Sequence, residues 1–568
     1  MAIITETKRL IIREMNLDDF ESLKKVLSDP INMQYYPKPY DDNGVLRWIN
    51  WCMNSYKENG FGLWAVVLKE TGEMIGDCGI SIQNIDNELK PEIGYHLRLD
   101  YHKMGLGHEM TKAIKDYFFL RFNYDEVYSY MNINNIPSEK TAIKNGMRFI
   151  KTFESDKGEI DKVYRITRKE WELNRNKRIR EIYDIVENKL KNHIRNIHNL
   201  ELPMIMISNQ YPGVWLEHLY DSVMYGYLYN DYSIFKNTVI NFIKYQNDDG
   251  LLPYAIKNID GPCYWQIQEC VSFIHLSYLV YLKTKDNELL KVVYEAGIKW
   301  INFLYKYRMT RKLNLVEMFV GYDTGHDNSP RLDGMIYKGN YEINGVKQNA
   351  KLLPKSERTP IAALDMSCNL YGGLYYLSKI ADILNKKEDI IKYKNLSIDV
   401  KKSIFKYLYD KNDNYFYDLD IDNKFNKTKS SSIFHLFLED VLDIEDDKEM
   451  IKNIIDNYIK NKNEFNTNYP FPSISISSNK LNKIDNSWGY YSQALIALRC
   501  SIWMDKYNLS DEYNHILEKW IDGLVKNFGI NPMSQELDPI TGYASDASSW
   551  YSSSMLLYIY ACRRLEYI

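Results

Sequence analysis

Hydrophobic positions follow two different rhythms along the chain. Up to about residue 170, short alternating runs are interleaved with helical ones. Alternation predicts strands at 7–14, 61–68, 74–82, 92–97, 125–131 and 147–153, and the 3.6-residue period predicts helices at 18–27, 44–58, 109–122 and 138–145. The Lys-Glu-Thr-Gly-Glu run at 69–73 is a hairpin signal between two of the strands. A further hairpin ending near residue 165 closes this part.

Beyond that the helical period takes over. Apolar spacing predicts helices at about 174–197, 214–229, 232–246, 265–284, 287–308, 361–384, 387–408, 431–441, 447–461, 488–505, 510–526 and 546–566. Connections alternate between very short (Asn230-Asp231, Lys285-Asp286) and long, the longest running from 309 to 360. Six helical hairpins closed in a ring make an (α/α)6 barrel, with the long loops gathered on one face where a pocket can sit. The expected fold class is therefore multidomain, a mixed and mostly antiparallel α+β domain followed by an all-α barrel.

Composition narrows the function. The 568 residues carry 72 Lys+Arg against 76 Asp+Glu, a net charge of −4, so no global field draws nucleic acid or an anionic membrane. The N-terminus MAIITETKRL has no signal-peptide pattern, and no apolar run reaches membrane length. Seven scattered cysteines without a CxxC suit free thiols in a reducing compartment, and a cytoplasmic location is expected. No metal is expected: the acidic turn at 410–418 lacks the glycine and glutamate of a calcium loop.

In the first part, Gly105-Leu-Gly107 opens a helix just after a strand, an arrangement that aims bare amides and the helix dipole at a phosphate. The ordered elements Glu92-Ile-Gly-Tyr95, Gly105-Leu-Gly-His108, Asn135-Ile-Pro-Ser138 and Gly146-Met-Arg-Phe149 resemble the GNAT acetyltransferases, particularly those modifying ribosomal-protein N-termini. The resemblance implies acetyl-CoA as acyl donor and an amine as acceptor. It places pantetheine on the amides of Leu97 and Leu99 and the pyrophosphate on Met104, Gly105, Leu106, Gly107 and His108. Asn135 and Ser138 would lie beside the thioester, and Glu92 would be the base. His102 stands where many members carry Arg or Gln.

In the second part, the stretch GYDTGHDNSPRLD at 321–333 crowds Asp323, Asp327 and Asp333 with a His and an Arg. Like charges in one turn repel, which suits a site whose acid must stay protonated near neutral pH. By itself Asp-Asn-Ser-Pro reads as a solvated turn. The whole stretch resembles the signature of family-63-type glycoside hydrolases, the processing α-glucosidases and mannosylglycerate hydrolases, in which the Asp before Asn is the general acid. That role falls on Asp327. The segment 535–543 (QELDPITGY) is similar to the family's base element and puts the base on Glu536. Inverting hydrolysis needs such a pair, one acid and one base. The resemblance also implies substrate contacts from Trp215, Asp221, Trp265, Gln268, Glu269, Arg331 and Trp488. The Asn-Ser-Trp-Gly run around Trp488 lacks the family's Arg and Pro.

The chain is thus expected to join a GNAT-like domain (1–170), a linker helix (171–200) and a glycosidase-like barrel (201–568). The expected activities are acetyl-CoA-dependent N-acetylation and inverting hydrolysis of an α-linked glucoside, mannoside or amino-sugar glycoside. The alternative is an acetyltransferase carrying a carbohydrate-binding barrel without turnover. Either way the partners are small molecules, with no nucleic acid and no membrane.

Overall fold

The computed structural model describes residues 2–155, 158–268, 271–484 and 488–568. The chain divides into two compact units, Met1–Arg178 and Ile179–Ile568.

The first unit is an eight-stranded sheet of order β1-β2-β3-β4-β5-β6-β8-β7. Its strands are β1 Ile3–Glu6, β2 Leu10–Arg13, β3 Leu63–Leu68, β4 Met74–Ile85, β5 Glu88–Leu97, β6 Glu126–Asn132, β7 Arg148–Glu154 and β8 Ile160–Thr167. Helices α1 (Phe20–Leu27) and α2 (Asp42–Asn59) precede β3, α3 (Leu106–Arg121) follows β5, and α4 (Ile136–Lys144) follows β6. The single strand expected at 7–14 is a hairpin instead, because Thr7 turns the chain by accepting the Leu10 N–H at 2.9 Å. The β4–β5 ladder is longer than its alternation suggested. Asp86 and Asn87 both take positive φ (53° and 65°), the two-residue turn that matches strand twist.

Among the described strands only β5 and β6 run parallel, and they pair at a single register point, Glu92 opposite Tyr128. Beyond it the two strands part. The backbone N–H groups of His96 and Arg98 point toward β4, bonding Asp77 Oδ1 (3.1 Å) and the Ile75 carbonyl (2.9 Å). By strand alternation those of Tyr95 and Leu97 face the gap.

A long helix, α5 (Arg168–His193), leads into the second unit, and its residues Ile179, Ile182, Val186 and Leu190 belong to that unit's core. Eleven more α-helices follow among the described residues: α6 Leu219–Tyr229, α7 Ser233–Lys244, α8 Phe273–Thr284, α9 Asn287–Tyr307, α10 Leu364–Ile383, α11 Lys387–Ser403, α12 His435–Leu438, α13 Lys448–Ile454, α14 Ala494–Arg499, α15 Ser510–Asn527 and α16 Ser552–Arg564. Even-numbered helices line the barrel. α6 packs on α8, α8 on α10, α10 on α12, α14 on α16, and α16 back on α6. Phe437 of α12 stacks on Trp503 just past α14, at 4.9 Å, which completes the ring. α10 and α16 are buried on nearly every side, as helices apolar all round must be. The unpaired first helix meets the last: Tyr558 of α16 donates to the Ile179 carbonyl at 3.0 Å.

All twelve helices stand near their expected places, but six begin three or more residues later, α12 after the short 3-10 turn Ser431–Phe434. In the other five cases, residues 214–218, 265–268, 361–363, 488–493 and 546–551 lie in the loop face. There the short ladders Gly213–Trp215 with Ala255–Lys257, Glu317–Met318 with Ile361–Ala362, and Ser492–Gln493 with Glu536–Leu537 hold the loops together. Their apolar residues serve the loops rather than a helix face.

Candidate active sites

In the barrel, the three carboxylates of 321–333 have three different fates. Asp323 is fully buried and spent on structure. It pairs with Arg308 at 2.5 Å and accepts the N–H groups of Ile267 (3.1 Å), Phe319 (2.8 Å) and Val320 (3.1 Å). Asp333 is exposed beside Lys480 at 3.2 Å. Asp327 sits half-buried between them, and among the described residues nothing donates to its carboxyl group. Burial, with the Glu217 carboxylate nearby, pushes it up to about 8. Its own carbonyl accepts the Trp488 N–H at 2.9 Å, and Trp488 lies flat on His326 with ring centroids 4.1 Å apart.

Arg331 holds this loop. Its five N–H donors are all used: Nε and Nη2 on Asp418 (2.8 and 3.0 Å), Nη1 and Nη2 on Asp365 (2.6 and 3.0 Å), and Nη1 on His326 Nδ1 (2.6 Å). Burial opposes ionisation of Asp365, but the guanidinium wins and holds it well below the usual carboxylate range. His326, accepting at Nδ1, carries its proton on Nε2, and burial beside Arg331 keeps the ring neutral.

Glu536 lies across the loop face on the ladder Glu536–Leu537, and its carboxylate is fully buried. Ser545 donates to one oxygen at 2.6 Å and Gln493 to the other at 2.7 Å. The phenol of Tyr211 gathers the acids. Burial raises it to about 12, followed by the charges of Asp327, Glu536 and Glu217. Glu217 and Gln268 meet over the backbone of Gly325, whose φ of 75° and missing side chain let them approach. Beside them Trp215, Tyr254 and Trp265 surround the Lys257 ammonium, 4.7 Å above the Trp265 ring.

In the first unit, the α3 N-terminus lies against β5 and α4, a Cβ on Gly107 standing 3.6 Å from the Tyr95 ring and 4.0 Å from Thr141 Oγ1. Lys103 and Gly105 take left-handed φ (61° and 79°), so α3 opens at Leu106 with the amides of Leu106, Gly107 and His108 free of helical partners. Arg9 braces this turn by donating to the Met104 carbonyl at 2.9 Å and pairing with Glu109 at 2.6 Å. His102 Nε2 donates to the Leu97 carbonyl at 2.7 Å, so that ring is tied to the backbone. Leu99 lies in the short turn Leu99–Tyr101. Asn135 caps α4 by accepting the Ser138 N–H at 3.2 Å, while the Ser138 and Thr141 hydroxyls reach the Tyr95 phenol. Glu92 is buried on β5, and burial pushes its carboxyl up to about 8 against one long hydrogen bond from Ser81 (3.4 Å).

Comparison with known proteins decides the family. The profile described as "Mannosylglycerate hydrolase MGH1-like glycoside hydrolase domain" matches residues 222–548. The chain belongs to the MGH1-like glycoside hydrolases. An acetyltransferase (GNAT) domain profile matches residues 9–148, so the hydrolase domain is fused behind a GNAT domain. The crystal structure of the family-63 mannosylglycerate hydrolase from Thermus thermophilus in complex with Tris shares the fold, with 14% identity and a TM-score of 0.54 over 66% of this chain and 99% of that one. The uncharacterized protein YkkB of Bacillus subtilis (strain 168) is 33% identical over 147 residues, covering 26% of this chain and 86% of YkkB. The uncharacterized N-acetyltransferase p20 of Bacillus licheniformis is 29% identical over 165 residues, covering 28% of this chain and 91% of p20. No helix among the described residues is long and apolar enough to cross a membrane.

In the second unit, Asp327, Glu536, Trp215, Trp265, Gln268 and Trp488 gather on the loop face, while Glu269 lies outside the described residues. Two expected substrate ligands are engaged elsewhere. Asp221 is buried one turn into α6 and its carboxylate is taken by Ser552 (2.5 Å) and Ser553 (2.8 Å) of α16. Arg331 has no donor left. The acid that does face Asp327 is Glu217. Its signal was its place two residues after Trp215, but only the late start of α6 tells it from Asp221.

Proposed function

We propose that the hydrolase domain cleaves a glycosidic bond with inversion, Asp327 protonating the leaving oxygen while Glu536 takes a proton from the attacking water. The observation that carries this reading is the contrast between the two carboxyls around Tyr211. Asp327 has no donor among the described residues and is raised to about 8, so it keeps its proton at neutral pH; Glu536 is held by two donors, an environment suited to an anion. The substrate is an α-linked glucoside, mannoside or amino-sugar glycoside, its ring resting on Trp488, Trp215 and Trp265 with Gln268 and Glu217 as hydroxyl ligands.

The GNAT domain transfers acetyl from acetyl-CoA to an amine. Pantetheine lies along the amides of Leu97 and Leu99, the pyrophosphate on residues 104–108, and the thioester beside Ser138 and the capped α4 terminus at Asn135. Glu92 serves as base at pH values where it is ionised. The six described cysteines are buried and free, which supports a reducing, cytoplasmic setting.

Kinetics on a panel of α-glycosides tests the hydrolase. Asp327→Asn should lower kcat on poor leaving groups by ~1,000-fold or more with binding retained. Glu536→Gln should lose hydrolysis yet turn over an α-glycosyl fluoride with an added external anion. Loss of sugar affinity alone, or no change in either variant, would instead make the barrel a binding module.

A further inference from the structure

The face of β5 that carries Glu92 also carries His96, four residues on, with Gly94 between them. The Glu92 carboxyl leans over Gly94, its Oε2 3.1 Å from where a Cβ would stand. His96 is the middle of a chain of hydrogen bonds that none of the readings above uses. Its Nδ1 lies 2.8 Å from Asp77 Oδ1, and its Nε2 lies 2.8 Å from the Tyr36 hydroxyl. Asp77 is completely buried, and its other oxygen accepts the Trp48 indole N–H at 2.9 Å. A carboxylate can only accept, so Nδ1 bears the proton and Nε2 presents a basic lone pair to Tyr36. Tyr36 is 38% exposed, and Trp51, 39% exposed, stands next to Trp48, so the relay ends at an aromatic rim suited to a cationic or neutral amine.

We propose that Tyr36, His96 and Asp77 are the proton relay of acetyl transfer at neutral pH, with Tyr36 meeting the acceptor amine. This rests on the reading of the domain as an acetyl-CoA-dependent N-acetyltransferase. As the nitrogen of an uncharged amine attacks the thioester carbonyl, the C–N bond forms and the C–S bond breaks. The amine proton passes to the Tyr36 oxygen while the Tyr36 proton moves to His96 Nε2, leaving an imidazolium against Asp77. CoA departs as thiolate and takes a proton from water, and the imidazolium passes its own proton through Tyr36 to the hydroxide so formed, which restores water and the neutral His96. Tyr36 is the catalytic residue; His96 and Asp77 act through it. Glu92, pushed up to about 8, is mostly protonated at neutral pH and takes over as base only in alkali. The other titratable groups facing the relay are Tyr130 from β6, Tyr40, which lies near Arg47, and, around Asp77, Cys52 and Tyr56 from α2 and Cys78 from β4, whose own protons burial holds in place.

The test measures acetylation of peptide N-termini, hexosamines and aminoglycosides by the full chain across pH 6 to 10. Tyr36→Phe and His96→Gln should each lower kcat about 100-fold at pH 7, with KM for acetyl-CoA and CoA affinity by calorimetry unchanged. Both should keep a rate that climbs as pH rises through about 8, the limb belonging to Glu92. Tyr36→Phe removes one exposed hydroxyl and leaves the fold intact. Nitrogen-15 NMR of the wild-type chain should show His96 protonated at Nδ1. A neutral-pH rate that survives either substitution, or a proton on Nε2 instead, overturns the relay. So does a chain that binds CoA yet acetylates none of these amines. A chain that does not bind CoA at all overturns the transfer reading beneath it.

Discussion

Replacing Asp327 by Asn should make the protein more stable while removing its proposed acid. In the unfolded chain this carboxyl titrates near 3.8; in the fold, burial and Glu217 raise it to about 8. Below pH 3.8 both states are protonated and the site costs nothing. Between the two values the unfolded chain releases the proton that the folded one keeps, so stability falls by about 1.4 kcal/mol for each pH unit. At pH 7 the upper bound is about 4 kcal/mol. Asp327 is only half-buried and solvent discounts that figure, so about 1–3 kcal/mol is expected. Asn has the same shape and no charge to lose. For a unit the size of the barrel, roughly 1 kcal/mol corresponds to a little over one degree in Tm. Asp327→Asn should therefore raise the melting temperature of the barrel transition by about 1–4 °C at pH 7.5 in scanning calorimetry. At pH 4 the gain should shrink to about one-eighth. A variant that melts at or below wild type at pH 7.5, or whose advantage is the same at both pH values, would refute the argument that this carboxyl is held against its preference. A destabilised group in a site is the trade expected where chemistry needs it.

Two further substitutions bear on other parts of the machinery. Arg331→Lys keeps the charge but supplies three donors for five acceptors, leaving Asp365 and Asp418 short inside the core. It should cost about 3–5 kcal/mol in denaturant unfolding of the barrel, and a loss under 1 kcal/mol would contradict the clamp. Gly107→Val should abolish CoA binding by calorimetry without harming the fold, since a Cβ there meets only Tyr95 at 3.6 Å and Thr141 at 4.0 Å. Undiminished affinity would remove the pyrophosphate from the α3 terminus.

Asp323, Asp327 and Asp333 show why crowding of charge in a sequence marks a site without assigning the parts. Spacing alone makes them equivalent. Arg308 and three backbone N–H groups make the first a brace, solvent makes the third a surface charge, and only the middle one is left without a donor among the described residues. Arg331 was readable as part of the same stretch, but its partners Asp365 and Asp418 lie 34 and 87 residues away, so its use as a clamp was not.

By itself the sequence determined both fold classes, the twelve helices of the barrel, and the two loops that carry Asp327 and Glu536. These are local properties: periodicity sets the element type, and short left-handed turns at Asn230, Lys285 and Asn385 set the hairpins. It did not determine where the helices begin on the loop face, because apolar residues there pack into ladders with segments far along the chain. That difference of a few residues decided that Glu217, and not Asp221, stands beside Asp327. In the GNAT domain, Glu92 was legible from its motif. The Asp77–His96–Tyr36 chain was not, because Asp77 and His96 become neighbours only through the β4–β5 register and Tyr36 arrives from a separate turn. Hydrogen-bond partners, and with them burial and proton affinity, are set by such long-range contacts, and those only the tertiary structure decided.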